Sequence, residues 1–404
     1  MVGNDVPRMV LPLNPRALDL LPGGVGPAGA EPGPRVLIVG AGVAGLALAL
    51  ALRQRGVSPT LIERAPALRT EGAGLYLVGA ATRALRNLGL EAAVRERASV
   101  IVTQSLFDRG GAMLARTDVE AFWGACGQCL GVSRAALHSL LAEQVGSRSV
   151  RFGVGLRALQ QEPERVLAEC SDGSRAVYDL VVGADGIHST VRSLVFNDAA
   201  VRFRRQMSWR FVAPLPAKIS GWTVFMGPGR AFLYVPIAER TAYCYADLVV
   251  DRPCEDPAAA RPDRLRQVFR GFARPVQDTL AALEDDHPIH YAPIEEVATP
   301  QLGQGRVVLI GDAAHAMSPN MACGAGMGLE DATVLAELVA THGVGGALVP
   351  ELMRRRLGRI EWIRAQSERR DRMRALPSWL RNASLRMLWN RIYAANYRPL
   401  LTPP

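Results

Sequence analysis

The sequence predicts an α/β protein with a parallel sheet, a second sheet of shorter strands and helices at its C-terminal end. Three observations indicate this fold class. Apolar, β-branched runs ending in glycine recur at 35–40, 178–183 and 306–311, as expected of strands buried on both faces. Short aromatic runs that alternate with polar residues fill 196–295, which is typical of a half-buried sheet. Residues 346–404 lack such runs and are expected to be helical.

Composition sets the class of protein. The chain has 404 residues, 49% of them apolar and 21% charged. This length predicts two to three domains of about 150 residues. The proportions of apolar and charged residues exclude disordered, collagenous and membrane-bundle chains. The net charge is +9, yet Lys218 is the single lysine among 47 basic residues. Such an arginine excess is more typical of codon bias than of a nucleic-acid surface, so we expect no nucleic-acid partner.

The cysteines and the first residues indicate the compartment. Cys126 and Cys129 form a C-x-x-C pair, and the other four cysteines are scattered. A structural zinc site would need a second close pair, so we predict no metal and interpret the thiols as buried, with a redox pair as the alternative. Residues 1–34 are rich in proline and glycine and carry no secretory apolar region. We expect a flexible leader and a cytoplasmic protein.

The first motif is a strand, a glycine-rich turn and a helix. Gly40, Gly42 and Gly45 follow the run 35–40 in a G-x-G-x-x-G pattern, and the apolar helix 46–52 comes next. Gly40 permits the tight turn, Gly42 lets the backbone approach a pyrophosphate, and Gly45 lets helix and strand pack closely. The free N–H groups at the helix N-terminus favour phosphate. This order predicts a Rossmann-like dinucleotide site.

An acidic residue follows at the expected distance. Glu63 ends the next strand, 59–63, and stands 18 residues after Gly45. A carboxylate there can accept both ribose hydroxyls of an ADP moiety. This half of the pattern supports NAD, NADP and FAD equally.

Two later segments repeat the strand-glycine-aspartate design. Asp185 follows the run 178–183, and Asp312 follows the run 306–311. In an open α/β sheet, ligands bind beyond the carboxyl ends of the strands, where both aspartates are expected. The small residues 324–326 then open a further helix, whose N-terminus can receive a ring with negative charge.

These segments, in this order, resemble the class A flavoprotein monooxygenases of the para-hydroxybenzoate and salicylate hydroxylase type. The resemblance spans about residues 35–374, in the short single-component form, and implies a glutathione-reductase-like FAD-binding domain. It implies that Asp312 bonds a ribityl hydroxyl of FAD and that 324–326 face the pyrimidine edge of the flavin. The residues it assigns to cofactor binding are Gly40, Gly42, Gly45, Glu63, Arg64, Gly74, Arg134, Asp185, Asp312, Gly324, Ala325 and Gly326.

The flavin loop departs from the family pattern. Ala322-Cys323-Gly324 stands where the family often has G-Q-G, so a glutamine side chain is missing. We interpret Cys323 as a small-residue substitution and His315, within the G-D-A-A-H segment, as a packing residue.

The resemblance also assigns domains and a substrate pocket. The FAD-binding domain comprises 35–195, with excursions to the substrate domain near 75–125, and 296–345. Residues 196–295 form the substrate-binding sheet, and 346–404 form C-terminal helices. Polar-tipped candidates in the sheet are Arg210, Tyr234, Tyr243 and Tyr245, of which we select Arg210 and Tyr234 for the pocket. For Arg210, an outward-facing surface position is the alternative.

The activity implied is hydroxylation of an aromatic or polycyclic small molecule by FAD, O₂ and NADPH or NADH, through a flavin C4a-hydroperoxide. No second dinucleotide fingerprint is present, so the nicotinamide cofactor is expected to bind transiently. Alternatives are a flavin-dependent epoxidase, halogenase or reductase on the same scaffold, a nicotinamide-dependent dehydrogenase, or an inactive flavoprotein that serves as a binding module.

The last segment, 379–397, reads as a basic amphipathic helix. It is expected either to pack on the FAD-binding domain or to make weak contact with a membrane surface.

Overall fold

The computed structural model describes residues 33–68, 73–196, 200–298 and 300–404. Residues 1–32 of the predicted leader lie outside the described residues. The strands, in chain order, are β1 (Val36–Val39), β2 (Thr60–Glu63), β3 (Leu75–Leu77), β4 (Ala98–Val100), β5 (Thr103–Asp108), β6 (Met113–Asp118), β7 (Leu130–Val132), β8 (Val150–Phe152), β9 (Leu156–Gln161), β10 (Val166–Cys170), β11 (Arg175–Tyr178), β12 (Leu180–Gly183), β13 (Val201–Pro214), β14 (Trp222–Gly227), β15 (Arg230–Ala238), β16 (Thr241–Val249), β17 (His290–Val297), β18 (Gly303–Gln304) and β19 (Val307–Leu309).

Helices connect and cover these strands. They are α1 (Val43–Arg53), α2 (Gly79–Asn87), α3 (Glu91–Arg95), α4 (Val119–Trp123), α5 (Arg134–Val145), α6 (Thr190–Val195), α7 (Arg261–Val268), α8 (Arg274–Ala281), α9 (Asp312–His315), α10 (Gly324–His342), α11 (Leu348–Ala375) and α12 (Ser378–Tyr397).

A parallel sheet carries the three glycine-terminated runs. Its strand order is β18-β19-β12-β1-β2-β8, and only the β18–β19 pair in it is antiparallel. All four residues of β1 are buried, and α1 packs against α5 and α10. The predicted α/β class is confirmed. Because β1, β2, β12 and β19 run in the same direction, their carboxyl ends lie at one edge of the sheet.

A seven-stranded sheet lies beside the parallel one, in the order β17-β13-β16-β15-β14-β5-β6. One of its faces buries Trp209, Phe211 and Phe232 against α7 and α8, which contribute residues such as Leu265 and Val276. Strands β5 and β6 come from the segment near 75–125 and join the sheet through the parallel β5–β14 pair. Two three-stranded sheets, β3-β7-β4 and β11-β10-β9, complete the fold.

The C-terminal segment is two long helices. Helix α12 packs against β6, an edge strand of the seven-stranded sheet, and against α11. Trp123 Nε1 donates a hydrogen bond to the Tyr393 hydroxyl at 2.9 Å. The predicted basic helix at 379–397 is present as α12, and it carries apolar side chains on its exposed face as well as on its buried face. Within the described ranges, no helix is long and apolar enough to cross a membrane.

Candidate active site

A cleft of about 1720 Å³ runs from the carboxyl edge of the parallel sheet to the second face of the seven-stranded sheet. Gly42 and Asp312 line one end, and Trp222 and Tyr243 line the other. Pockets for single drug-sized ligands measure about 300–1,000 Å³. The cleft therefore has room for a dinucleotide and a second, smaller molecule.

The three glycines of the first motif have different surroundings. Gly40 adopts φ +105°, and a Cβ on it would lie 2.5 Å from the Ala184 carbonyl oxygen. A Cβ on Gly45 would lie 1.9 Å from the Gly40 oxygen, so α1 and the turn pack too closely for any side chain. A Cβ on Gly42 would meet no atom within 4 Å, since it points into the cleft. Gly42 thus borders open space at the N-terminus of α1, where phosphate oxygens are favoured.

Glu63 lies at the end of β2 beside this turn. Its two carboxylate oxygens accept hydrogen bonds from the backbone N–H groups of Ala41 and Ala65, each at 2.9 Å. These bonds fix the carboxylate against the glycine turn, and each oxygen keeps a lone pair for a ribose hydroxyl. Arg64 also lines the cleft.

Asp312 begins α9 and is exposed to the cleft. A Cβ on Gly324 would lie 4.0 Å from Asp312 Oδ1, so the aspartate stands close to the N-terminus of α10. Gly324 and Ala325 line the cleft with it. Gly326 does not, because a Cβ on it would lie 2.8 Å from the Ala81 Cβ of α2. The expectation that Gly326 faces the cofactor is corrected: its role is close helix packing.

Asp185 lines the cleft, but its carboxylate binds within the fold. It accepts hydrogen bonds from Ser189 Oγ at 2.5 Å, Thr190 N at 2.7 Å and Val191 N at 3.2 Å. A carboxylate before a helix satisfies the free N–H groups of the first turn. The carboxylate of Asp185 thus helps to cap α6, and because the residue also lines the cleft, its contact with the cofactor stays a prediction.

Gly74 and Arg134 lie where the two parts of the cleft meet. A Cβ on Gly74 would lie 2.5 Å from the Tyr243 Cβ, so the loop before β3 approaches β16 closely. Arg134 is the first residue of α5 and is exposed in the cleft lining.

Arg210 faces the cleft from β13. Its neighbours Trp209 and Phe211 are each 1% exposed and belong to the core on the other face of the sheet, as the alternation of a strand requires. The Arg210 guanidinium carbon lies 5.9 Å from the ring centroid of Tyr245, its register partner on β16. The alternative of an outward-facing surface arginine is therefore wrong.

Tyr243 and Tyr245 occupy alternate positions of β16 and both line the cleft. The Tyr245 hydroxyl is buried and has no hydrogen-bond partner among the described residues. Burial raises the pKa of Tyr245 well above its ordinary value; nearby Asp247 adds to the rise and Arg210 opposes it. The hydroxyl therefore keeps its proton.

Tyr234 does not line the cleft, and its selection for the pocket is wrong. It is fully buried in the core between the seven-stranded sheet and α8. Its hydroxyl donates to the Pro275 carbonyl at 2.9 Å and lies 2.9 Å from Thr279 Oγ1. The adjacent residues Leu233 and Val235 face the cleft instead, so the register of β15 turns Tyr234 away.

Sequence reasoning missed the contribution of α11 and α12. Arg374 forms a buried ion pair with Asp247, with Nη1 2.9 Å from Oδ2. Burial lowers the pKa of Arg374, but Asp247 outweighs it and the net shift is upward. Leu385 and Trp389 of α12 line the cleft from the same side. Their spacing of four residues predicts one helical face, but not what that face covers.

Comparison with known proteins identifies the family. The model for an FAD binding domain matches residues 34–353. The 2-heptyl-3-hydroxy-4(1H)-quinolone synthase of Pseudomonas aeruginosa (strain UCBPP-PA14) is 34% identical over 374 residues, which is 88% of this chain and 94% of the relative. The chain belongs to the class A FAD-dependent aromatic monooxygenases.

Two further proteins resemble this monooxygenase. The aurachin C monooxygenase/isomerase of Stigmatella aurantiaca is 30% identical over 91% of this chain and 98% of its own. The crystal structure of Klebsiella pneumoniae HpxO complexed with FAD and uric acid has a TM-score of 0.84, with 23% identity over 91% of this chain and 97% of that one. The predicted enzyme class and the FAD cofactor are confirmed.

The residues present in the monooxygenase fit FAD. Of the three glycines in the turn, only Gly42 has open space beside it, and the carboxylates of Glu63 and Asp312 line the same cleft. Asp312 and Gly324 would hold the flavin end of FAD, and Arg210 and Tyr243 line the same cleft.

His315 and the thiols have structural roles. His315 is 1% exposed, and its Nε2 lies 2.6 Å from Asp331 Oδ2, as expected of a packing residue. Cys323 is buried and donates to the Met321 carbonyl at 3.1 Å. Burial raises its pKa to about 12, so the thiol is inert. In the part of the chain that the structure describes, no cluster of histidine, cysteine and acidic residues could hold a metal ion.

Proposed function

We propose that this monooxygenase hydroxylates an aromatic ring that carries an acidic oxygen and an apolar substituent, with NADPH or NADH as a transient electron donor and O₂ as the second co-substrate. Arg210 and Tyr245 would bind the oxygen, and the apolar part of the cleft would hold the substituent. The observation that carries the proposal is the Arg210 guanidinium over the ring of Tyr245, 5.9 Å from its centroid, where both residues line the cofactor cleft.

The cofactor would be held by the residues at the edge of the parallel sheet. Gly42 and the N-terminus of α1 would bind the pyrophosphate, Glu63 the adenosine ribose, and Asp312 a ribityl hydroxyl. Bound FAD supplies the oxygen-activating chemistry. The protein side chains would position the substrate ring and activate it for hydroxylation.

Arg210 would lower the pKa of a ring hydroxyl because a nearby positive charge favours the oxyanion. A ring with an oxyanion is more electron-rich, and so is attacked more readily by an electrophilic oxygen. Tyr245 would donate a hydrogen bond to the same oxygen and fix the ring orientation, because an acceptor in the cleft satisfies a hydroxyl that has no partner in the protein.

Apolar side chains line a large part of this end of the cleft, beside the Arg374–Asp247 ion pair. Leu106, Val224 and Leu233 line it from the sheet, and Leu385 and Trp389 line it from α12. Such a wall excludes water from the reacting ring and stabilises an alkyl or fused-ring substituent by about 25 cal/mol for each Å² buried.

The names of the relatives support this substrate class. The product named for the Pseudomonas relative is a hydroxyquinolone with a heptyl chain, and another relative, from Streptomyces platensis, is a 3-amino-4-hydroxybenzoate 2-monooxygenase. Both names describe a ring with an oxygen substituent.

A substrate series tests the proposal. FAD-loaded enzyme is mixed with NADPH or NADH and with 4-quinolone, 2-alkyl-4-quinolones or a 2-alkylquinoline without the ring oxygen. We expect the alkylated, oxygen-bearing compounds to accelerate NAD(P)H oxidation most and to gain one oxygen atom by mass spectrometry.

The oxygen-free compound is the matched control. Equal acceleration by the alkylquinoline would contradict the role of Arg210 and Tyr245. If no compound in a wider series of phenols and quinolones accelerated oxidation, the proposed substrate class would be wrong.

A further inference from the structure

Helix α12 presents an apolar stripe to solvent. Trp379 is 74% exposed and Met387 is 80% exposed, and Leu380 and Leu388 are exposed on the same helix. Trp379, Ala383 and Met387 are spaced by four residues, so they lie along one line of the helix surface. Exposed large apolar side chains that form a contiguous patch mark an interaction surface, whereas single ones do not.

Unpaired positive charge borders this stripe. Arg386 and Arg391 of α12 and Arg398 after it are exposed, and none of them has a hydrogen-bond or ion-pair partner among the described residues. The last acidic residue of the chain is Asp371, so the segment 372–404 contains arginines and no carboxylate side chain. The segment that carries the stripe is therefore basic.

We propose that the outer face of α12 binds the surface of a bilayer with anionic lipids. Trp379 and Met387 would enter the boundary between headgroups and acyl chains, and Arg386 and Arg391 would bind lipid phosphates. Helices that lie in a membrane interface combine an apolar face with flanking arginines in this way.

A second copy of the chain fits this surface poorly. A two-fold dimer places the same patch of each subunit against itself. The two α12 surfaces, each with Arg386 and Arg391, would then meet, with no carboxylate side chain in 372–404 of either copy to compensate the charge. Anionic headgroups supply the missing negative charge.

The position of α12 relates the proposed membrane contact to the cleft. Leu385 and Trp389, on the opposite face of the helix, line the cleft. A single helix thus separates the apolar end of the cleft from the proposed lipid surface. A substrate that partitions into the bilayer would be concentrated beside the cleft that receives it.

Vesicle sedimentation tests the proposal with the FAD-loaded enzyme. We expect sedimentation with vesicles of phosphatidylcholine and phosphatidylglycerol, weak sedimentation with phosphatidylcholine alone, and release at high salt. The double variant Arg386→Gln/Arg391→Gln should bind the mixed vesicles about thirtyfold more weakly, from about fivefold for each arginine. Trp379→Ser/Met387→Ser should lose more than about tenfold.

The matched control is Leu194→Ser, which removes an exposed leucine of α6. It should leave vesicle binding unchanged. All variants alter exposed side chains, so their flavin content and melting temperature should equal those of the wild type. Failure of the wild type to bind the mixed vesicles would overturn the proposal. So would binding that both double variants retain, or an oligomer in light scattering that Trp379→Ser/Met387→Ser dissociates without any vesicle binding.

Discussion

The Asp331 carboxylate of α10 accepts a hydrogen bond at 2.9 Å from the backbone N–H of Gly311, the residue before Asp312. The same carboxylate lies 2.6 Å from His315 Nε2 and 2.7 Å from Arg356 Nε. Asp331 and Arg356 are both almost completely buried. This buried cluster fixes the turn that directs Asp312 into the cleft, so the core of the protein positions a cofactor contact.

The cluster predicts acid sensitivity. Burial alone raises the pKa of Asp331, but His315 and Arg356 outweigh it and hold the pKa below the ordinary value of 3.8. A carboxyl with a lowered folded-state pKa contributes stability that is present above its unfolded-state pKa and is lost as pH falls towards the folded-state pKa. We expect the free energy of unfolding to fall below pH 3.8, measured by urea denaturation along a pH series.

Asp331→Asn should remove its part of this pH dependence and lower stability at neutral pH by about 1.5–3 kcal/mol, because Arg356 loses one of its two buried carboxylate partners and keeps only Glu330. Asp263→Asn, at an exposed ion pair with Arg266, serves as the control and should change little. Identical pH profiles for wild type and Asp331→Asn would contradict the structural role of the cluster.

A second prediction contrasts the effects of substituting Asp312 and Cys323, which lie at the expected flavin loop. Asp312→Ala should weaken FAD binding about ten- to a hundredfold, because a lost charge-assisted hydrogen bond costs about 1.5–3 kcal/mol. Cys323→Ala should leave FAD content and turnover nearly unchanged, since the thiol is buried outside the cleft lining. Equal losses in fluorescence titrations of both apoproteins would show that the loop is wrongly interpreted.

A third prediction contrasts two glycines of the same turn. Gly42→Ala should keep the stability of the apoprotein but weaken FAD binding, because the added methyl meets only the open space. Gly45→Ala should lower the melting temperature of the apoprotein itself, because its methyl would overlap the Gly40 oxygen. Calorimetry of both apoproteins checks this, and a stable Gly45→Ala would contradict the close packing.

A fourth prediction uses two tyrosines on opposite faces of one sheet. Tyr245→Phe should raise the KM for substrate without loss of stability, because the removed hydroxyl has no partner in the protein. Tyr234→Phe should leave KM unchanged and cost about 1–3 kcal/mol, because it leaves buried Pro275 and Thr279 acceptors unpaired. Denaturation measures the change in stability of both variants, and steady-state kinetics measure the change in KM. The reverse assignment of the two effects would restore Tyr234 to the pocket.

The cofactor end of the cleft was largely predictable from sequence because its chemistry depends on local geometry. Gly40, Gly42 and Gly45 each meet the constraint that their spacing implies, and Asp312 lies beyond its strand as the motif requires. The motifs do not specify which groups a residue contacts in the folded protein, either by hydrogen bonds or by packing. Asp185 therefore belongs to the expected segment but caps α6, and Gly326 packs on α2.

The substrate end was less predictable, for a physical reason. A shift of one residue in strand register exchanges the two faces of a sheet, so aromatic composition alone could not separate Tyr234 from Tyr245. The wall formed by α12 depends on where this helix docks on the seven-stranded sheet. Its contacts there join residues that are far apart in the sequence, such as Arg381 and the Gly227 carbonyl, which are 154 residues apart. No local pattern specifies that contact.

The most direct test of the account is the coupling of NAD(P)H oxidation to product in Arg210→Gln. With the true substrate, the variant should keep its FAD and its fold but form less product for each NAD(P)H oxidised, with hydrogen peroxide making up the difference. Arg202→Gln, an exposed position on the same strand, should keep the wild-type ratio. A wild-type ratio in Arg210→Gln would contradict the claim that this arginine holds the substrate oxygen beside the flavin.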